Sequence, residues 1–323
     1  MYASTHRYGR LAASLFPVLL LLADGGTVRS DEPGQVVMKR GRDQVEILVG
    51  GTAFATYVFN DPRIKRPYFT GVHAVTGQQV TRHHPPRPGV DSTDHATMHP
   101  GIHLAFGDIS GADFWRNRGV VRHAGFTKKP TGGERAGEFT VRNLYQAGKR
   151  LVCEEVCRHR VLVRPAGVLL TYESRFLSHQ AGFVFGDQEE MGLGVRVDRA
   201  LRVRGGRGTI LNSVGGKNEK QTWGRQAAWC DYSGLKDGRR VGLAVMTDPG
   251  NFRASWFHSR DYGLLVANPF GRKAFRKGAA SRVEVARGEP FTLRFGILIH
   301  SSSPNRPVDL KAAYSDFVAA LKR

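Results

Sequence analysis

Residues 91–115, DSTDHATMHPGIHLAFGDISGADFW, gather His95, His99 and His103 with Asp91, Asp94, Asp108 and Asp113 in a stretch that has no regular apolar period. Imidazoles exchange protons near neutrality and ligate metals, and carboxylates orient them, so this mixture offers acid–base or metal chemistry. The histidines recur every fourth residue, which on a helix would stack them along one face. Pro100 and Gly101 argue against that helix, because an internal proline removes a backbone donor and clashes with the preceding turn. The segment therefore reads as a loop running into a short strand, Ile102 to Phe106, whose histidines meet only through the fold. The competing reading is a polar connection in which the imidazoles are packing elements; a site is preferred for the cluster because ordered loops so often carry function.

A second candidate is FGDQEEMGLGVR, residues 185–196. Asp187, Glu189 and Glu190 crowd one turn between glycines, and like charges held close raise at least one carboxyl toward the range useful for proton transfer. A solvated acidic turn is the plain alternative. Arg196, in the strand that follows, is the expected partner, its fork suited to a carboxylate or a substrate hydroxyl.

The third candidate is NFRASWFHSRDYG, residues 251–263, followed by Asn268, Pro269, Phe270 and Gly271. Trp256, Phe257, Tyr262 and Phe270 interleave with Arg253, His258, Arg260 and Asp261. Flat rings beside bidentate polar groups suit a sugar, the ring covering the C–H face and the charges bonding hydroxyls. If the segment is extended, neighbours alternate, with Phe257 inward and Trp256 toward a ligand.

Other chemistries are less well supported. A divalent metal would use His95, His99 and His103, with Asp94 or Asp108 as a fourth ligand, but Pro100 interrupts their spacing; no other cofactor is expected. Asp94, His95 and Ser92 or Ser110 make a conceivable nucleophilic triad with nothing to fix its geometry. There is no Walker motif and no Gly-x-Ser-x-Gly elbow.

The elements that must position these groups are mostly strands. Period-two alternation punctuated by turn residues covers 44–49, 52–59, 67–72, 78–82, 139–144, 150–163, 168–176, 192–204, 209–212, 226–232, 240–247, 264–268, 281–285 and 291–300, besides 102–106. Gly50-Gly51, Thr76-Gly77 and Ala166-Gly167 mark hairpins. One helix is predicted, with Leu310, Tyr314, Phe317 and Leu321 on one stripe and Pro307 in its first turn. With no linker or repeat after residue 31, the expected fold class is all-β: a large antiparallel two-sheet sandwich over 31–323 with a short C-terminal helix.

Composition narrows the setting. Across 323 residues the formal charge is +20. Such a balance attracts polyanions, yet the basic residues are scattered and no nucleic-acid reader accompanies them; an acidic polysaccharide or a solvated surface accounts for it as well. Arg7 and Arg10 before the apolar run Leu11 to Ala23 read as a signal peptide over 1–30, giving a periplasmic or secreted protein with no transmembrane segment in the mature chain. Cys153, Cys157 and Cys230 are an odd count without a disulfide framework, best taken as small buried strand residues.

At Asp94-His95, His99-Pro100-Gly101, Gly107-Asp108 and Asp113-Phe114-Trp115, and again at 185–194 and 256–271, the chain resembles the bacterial PmoA family, often labelled methane oxygenase and otherwise a domain of unknown function. The likeness runs from about residue 35 to about residue 320. Pro100 stands where that pattern has an arginine and His103 where it has a tryptophan, so no guanidinium is carried over there. Methane oxidation of the particulate kind is a membrane activity and does not fit this chain. The resemblance implies an exported supersandwich similar to galactose mutarotase, a type that acts on sugars by pairing a histidine with a carboxylate.

The resulting expectation is a carbohydrate-active acid–base enzyme, an epimerase, lyase or hydrolase acting on a sugar or oligosaccharide. His95 or His99 is the proton donor, Glu189 or Glu190 the base, and Arg196 and His258 orient. Asp94, His103, Asp108, Asp187, Trp256, Arg260, Asp261, Tyr262, Asn268 and Phe270 contact the sugar. The alternatives are a non-catalytic glycan-binding module and a metal-dependent enzyme using the histidine cluster.

Overall fold

The computed structural model describes residues 1–3 and 34–322; the apolar run of the expected signal peptide lies outside them. Two large antiparallel sheets dominate. The ten-stranded sheet runs, neighbour to neighbour, through Arg225–Gln226, Trp256–Arg260, Leu264–Asn268, Met191–Arg196, Ile102–Phe106, Tyr68–Thr70, Thr52–Val58, Gln44–Val49, Gln35–Arg40 and Gly133–Glu134. The eight-stranded sheet runs through Gly208–Asn212, Trp229–Lys236, Arg239–Thr247, Phe291–Ser302, Gly167–Leu177, Arg150–Arg164, Ala136–Ala147 and Val120–Thr131. A two-stranded ribbon pairs Phe183–Phe185 with Val283–Val285.

Alternation explains why the sheets face each other. Along Met191–Arg196, the side chains of Met191, Leu193 and Val195 enter a core shared with Phe139, Val141, Tyr172 and Phe295 of the opposite sheet. Along Ile102–Phe106, Ile102, Leu104 and Phe106 do the same. The three thiols are free and buried, Cys153 and Cys157 on the inward face of one strand, as small strand residues should be.

Several local expectations shift. Gly50 and Gly51 both take positive φ, 56° and 75°, and close the first hairpin as read. The predicted strand at 78–82 makes only isolated bridges at Gln79 and Thr81, and the one at 192–204 ends at Arg196, where Asp198 caps a 3-10 turn, Arg199–Leu201. A one-turn helix, Asn218–Thr222, interrupts the strands, where no helix was expected. The C-terminal helix is Leu310–Ala320, capped by the Asp309 carboxylate on the Ala312 amide, so Pro307 precedes it instead of occupying its first turn. Its stripe covers Leu162, Leu169, Ala244, Met246 and Leu298 on the outer face of the eight-stranded sheet.

Candidate functional site

The outer face of the ten-stranded sheet carries the site at one end, on four adjacent strands: Trp256–Arg260, Leu264–Asn268, Met191–Arg196 and Ile102–Phe106. Because Ile102 and Leu104 point into the core, His103 must point out, and the same parity brings Arg196, Val266, His258 and Arg260 to that side. Residues 91–101 and Trp115 lie over this face. Gly194 leaves room for them: a Cβ there would sit 2.7 Å from Cη2 of Trp115 and 3.0 Å from Nε2 of His103.

Two arginines hold the covering loop by its backbone. Buried Arg82 donates to the carbonyls of Ser92 at 2.9 Å, Asp94 at 2.7 Å and His99 at 2.9 Å. Arg66, equally buried, donates to the carbonyls of Met98 and Trp115 and to the Asn117 side chain. Within that frame His95 adopts φ +50°, a left-handed conformation that bulky residues seldom take unless surrounding structure imposes it.

The loop presents a carboxylate–imidazole dyad. Asp94 lies 2.9 Å from Nδ1 of His95 and receives Nη2 of Arg196 at 2.8 and 2.9 Å on its two oxygens, with the Ser92 hydroxyl also donating to it. Burial would raise the Asp94 carboxyl, but the hydrogen bonds from Ser92 and His95 and the charges of Arg196 and Arg82 outweigh it and hold the group well below the usual carboxylate range. Arg196 is itself capped by the Tyr262 ring, 4.6 Å from guanidinium carbon to centroid. With Nδ1–H directed at Asp94, Nε2 of His95 is the free nitrogen, and the side chain is 43% exposed.

Beneath His95 the imidazoles form a ladder. The His95 and His99 rings stack at 5.0 Å and 28°, and His99 and His103 at 6.2 Å and 13°, with Trp115 edge-on to the lower two. Burial, and then neighbouring positive groups, push His99 and His103 well below the ordinary imidazole range, so both are neutral. Stacked plates hold their in-plane nitrogens side by side instead of converging them. The proposed metal set is therefore not assembled, and among the described residues no group of His, Cys, Asp or Glu is arranged to hold a metal ion.

The acidic turn forms the opposite flank. Glu190 Oε1 lies 4.0 Å from Nε2 of His99, and its other oxygen is taken by Arg116, which also bonds Asp113 at 3.2 Å. Glu189 Oε2 lies 3.4 Å from Nδ1 of His258. That nitrogen already accepts from Trp223 Nε1 at 3.2 Å, and burial lowers the His258 pKa to about 3, so the contact joins a carboxyl to a neutral ring and is not an ion pair. Burial and then the adjacent Glu190 raise Glu189 above the ordinary carboxyl value, against the pull of Arg260 and other arginines.

The histidine loop, the acidic turn and the aromatic–basic strand thus meet on one face. Not every predicted contact residue is free to meet a ligand there. Arg196 pairs with Asp94 rather than with the acidic turn, because its strand lies beside the start of the histidine strand, its amide bonded to the Gly101 carbonyl at 2.8 Å. Asp187 accepts three backbone amides, from Lys273, Ala274 and Ser281. Asn268 clamps the turn through the carbonyls of Gln188 and Glu189 and accepts from the amides of Phe270 and Gly271. Asp108 closes a turn on Gly111, and Asp261 accepts from the Glu219 amide. Phe270 is fully buried and stacks on Phe185 at 4.7 Å, and Phe257 is inward as read. Trp256 points to the outer face but is 6% exposed, with Arg253 over its ring. Arg260 pairs with Glu219 at 2.9 Å. Ser92 donates to Asp94 and the Ser110 hydroxyl accepts from the Val184 amide, so neither is placed as a nucleophile on His95.

Residues absent from the sequence reading complete the site. Arg116 follows directly on the opening motif and was reachable by extending it one position. Glu219 comes from the one-turn helix, which no periodicity announced, and Trp223 from the residue that follows it, while Arg82 and Arg66 act on carbonyls, which leave no trace in side-chain patterns.

Fold and geometry define an all-β, two-sheet protein with a histidine–carboxylate cluster on the outer face of its larger sheet. The chain belongs to a family of unknown function, DUF6807, whose model matches residues 44–314. That agrees with the unknown-function part of the earlier resemblance, while the match gives no link to PmoA or methane oxygenase. No curated protein sequence matches the chain. Among solved structures, a galactose mutarotase-like protein from Lactobacillus casei is 10% identical with TM-score 0.36, over 82% of this chain and 100% of that one. A galactose mutarotase related enzyme from Lactobacillus acidophilus is 11% identical with TM-score 0.36, over 85% of this chain and 99% of that one. A protein described as a kojibiose phosphorylase, from the human microbiome, is 9% identical with TM-score 0.36; 83% of this chain is covered but only 31% of that one. Among the described residues no helix is long and apolar enough to cross a membrane.

Proposed function

We propose that this protein is an exported carbohydrate-active enzyme that transfers protons at a sugar, with His95 as base and Glu189 as acid. The observation that carries the proposal is the Asp94–His95 dyad, 2.9 Å across, fixed from behind by Arg196 and open to solvent at the other imidazole nitrogen. A base needs its proton-accepting atom free and its opposite nitrogen committed, and the dyad supplies both. Glu189, with its carboxyl raised, is suited to hold a proton, which reverses the roles the sequence suggested for these two residue types. Arg196 holds Asp94 ionised and Arg116 occupies Glu190, so the arrangement is one imidazole base and one carboxylic acid. That pair fits epimerisation or elimination more closely than hydrolysis by two carboxyls.

Unpartnered polar atoms are concentrated beneath the histidine loop. Nε and Nη1 of Arg196, Nε1 of Trp115 and the nitrogens of His99 and His103 have no hydrogen-bond partner among the described residues. Such groups cost about 1–3 kcal/mol each when left unpaired, so ordered water is expected among them. Export rests on the arginine-flanked apolar run Leu11 to Ala23.

The test is a screen of free sugars and oligosaccharides by proton NMR in deuterated buffer, reading product formation and solvent deuterium uptake at carbon. Wild type should turn over at least one pool member, and His95→Gln should lower kcat by about 100-fold or more while retaining binding. Glycan binding without turnover of any pool member, unchanged in His95→Gln and Glu189→Gln, would instead identify a binding module.

A further inference from the structure

We infer that the groove on the far side of the histidine loop is a second saccharide subsite, taking carboxylate- or sulfate-bearing units of an oligosaccharide whose reacting unit lies at Asp94–His95. This rests on the carbohydrate reading above and adds chain length and charge to it. The groove has a volume of about 790 Å³, within the range of ligand clefts and large enough for more than one sugar ring. It is built from three segments, 83–91, 198–207 and 235–237.

Two of its segments connect to the residues around the dyad. The segment ending at Asp91 continues directly into Ser92 and Asp94, whose carbonyls Arg82 holds at 2.9 and 2.7 Å. The 198–207 segment reaches the other wall, the Arg204 amide donating to the Asp261 carbonyl at 2.9 Å beside Tyr262. Arg199 ties the groove-side loops together through the carbonyls of Gly89 and Val90. The groove and the dyad are therefore carried on neighbouring stretches of the same chain segments.

The lining has the mixed character of a sugar subsite. Val90 and Leu235, 50% and 39% exposed, are two of the large apolar side chains left open on the surface, and both line this groove. Its accessible charge is positive. Asp91 is consumed by the His83 ring and the Arg87 amide, and Asp198 by Lys236 and the Ala200 amide, leaving Asp237 as the one exposed carboxylate of the lining. Arg199 and Arg207 are exposed and have no carboxylate partner among the described residues. Guanidinium forks with free donors bind carboxylate or sulfate edges, and the chain's +20 balance favours the same class of ligand.

The experiment is a glycan array bearing uronate, sulfated and neutral oligosaccharides of one to six units, probed with wild type, Arg199→Ser/Arg207→Ser, Leu235→Asp and His95→Gln. These groove residues are on the surface, and unchanged thermal midpoints confirm folding. Wild type should gain about tenfold in affinity between one and three anionic units, the increment of one charge-assisted contact. The gain should shrink with added salt, persist in His95→Gln, and disappear in both groove variants. Binding of neutral chains alone, affinity independent of length, or a length gain kept by the groove variants would each overturn the subsite while leaving the dyad's role intact. Failure to bind any glycan would overturn the carbohydrate reading and the subsite with it.

Discussion

Arg196 and Asp94, 102 residues apart in the chain, meet with one guanidinium nitrogen 2.8 and 2.9 Å from the two carboxylate oxygens. Arg196 is fully buried and Asp94 partly open, so the arginine acts as a fixed post to which the loop carboxylate, and through it His95, is tied.

Asp94→Asn should leave the loop in place yet remove the acceptor that selects the Nδ1–H tautomer of His95. A fall in kcat of about 100-fold with little change in KM is expected, measured on the substrate the NMR screen identifies. Arg196→Lys should cost about tenfold, because the shorter ammonium does not stack flat under Tyr262 as the guanidinium does. Wild-type kcat in Asp94→Asn would remove the dyad from the mechanism.

Glu189 sets a sign for the pH profile. An acid must enter the cycle protonated, so kcat/KM should fall as pH rises through its pKa, which burial and Glu190 place above the ordinary carboxyl value. Glu190→Gln deletes the neighbouring negative charge and frees Arg116, both of which favour ionised Glu189. The falling limb should therefore move to lower pH. An unmoved limb, or one displaced upward, would assign the limb to another group.

Stability should depend on pH through the buried imidazoles. His99, His103, His159 and His258 all have folded pKa values below the ordinary 6.5, His159 and His258 at about 3, with burial the leading cause. Below the unfolded value only the unfolded chain takes up these protons, so stability is full above pH 6.5 and declines as pH falls toward the folded values. Each contributes up to about 1.4 kcal/mol per pH unit across that window. Urea midpoints from pH 7.5 to 4.5 should trace this slope, and His159→Phe, whose ring sits among Tyr57, Phe69, Phe139 and Tyr172, should flatten it. Constant stability between pH 7 and 5 would contradict the neutral ladder.

Gly194→Ala pushes a methyl against Trp115 and His103 from below the loop. Overpacking of this kind costs about 1–3 kcal/mol, and the displaced plates should lower kcat as well. Gly41→Ala, whose Cβ would come no nearer than 3.5 Å to anything, is the control, expected within about 0.5 kcal/mol of wild type by the same urea assay.

Local patterning made much of the scaffold readable. Ile102–Phe106 was bounded by glycines and appears with those limits, and the long strands at 150–164 and 167–177 follow their alternation. Val120–Thr131 escaped because it is an edge strand whose register shifts repeatedly against Ala136–Ala147, which breaks the two-residue period. At the site, residue type located the three segments, but polarity did not say which groups face a ligand. Asp187 and Asn268 have the chemistry of sugar contacts and are spent on backbone amides and carbonyls, since turns must satisfy their main chain first. The pairing of Arg196 with Asp94 rests on strand order across the sheet, which no local spacing encodes.

The grip of Arg82 on the histidine loop has an evolutionary corollary. Its guanidinium donates its hydrogen bonds to main-chain oxygens of Ser92, Asp94, His95 and His99, atoms that every amino acid possesses, and its one side-chain contact in the loop is the longer ion pair with the Asp94 carboxylate at 3.8 Å. The course of the loop is thus specified largely from outside, with Asp94 the side chain that takes part. Descendants of this scaffold are free to exchange the reactive groups at those positions, and so to acquire new substrates, while inheriting the same path for the chain.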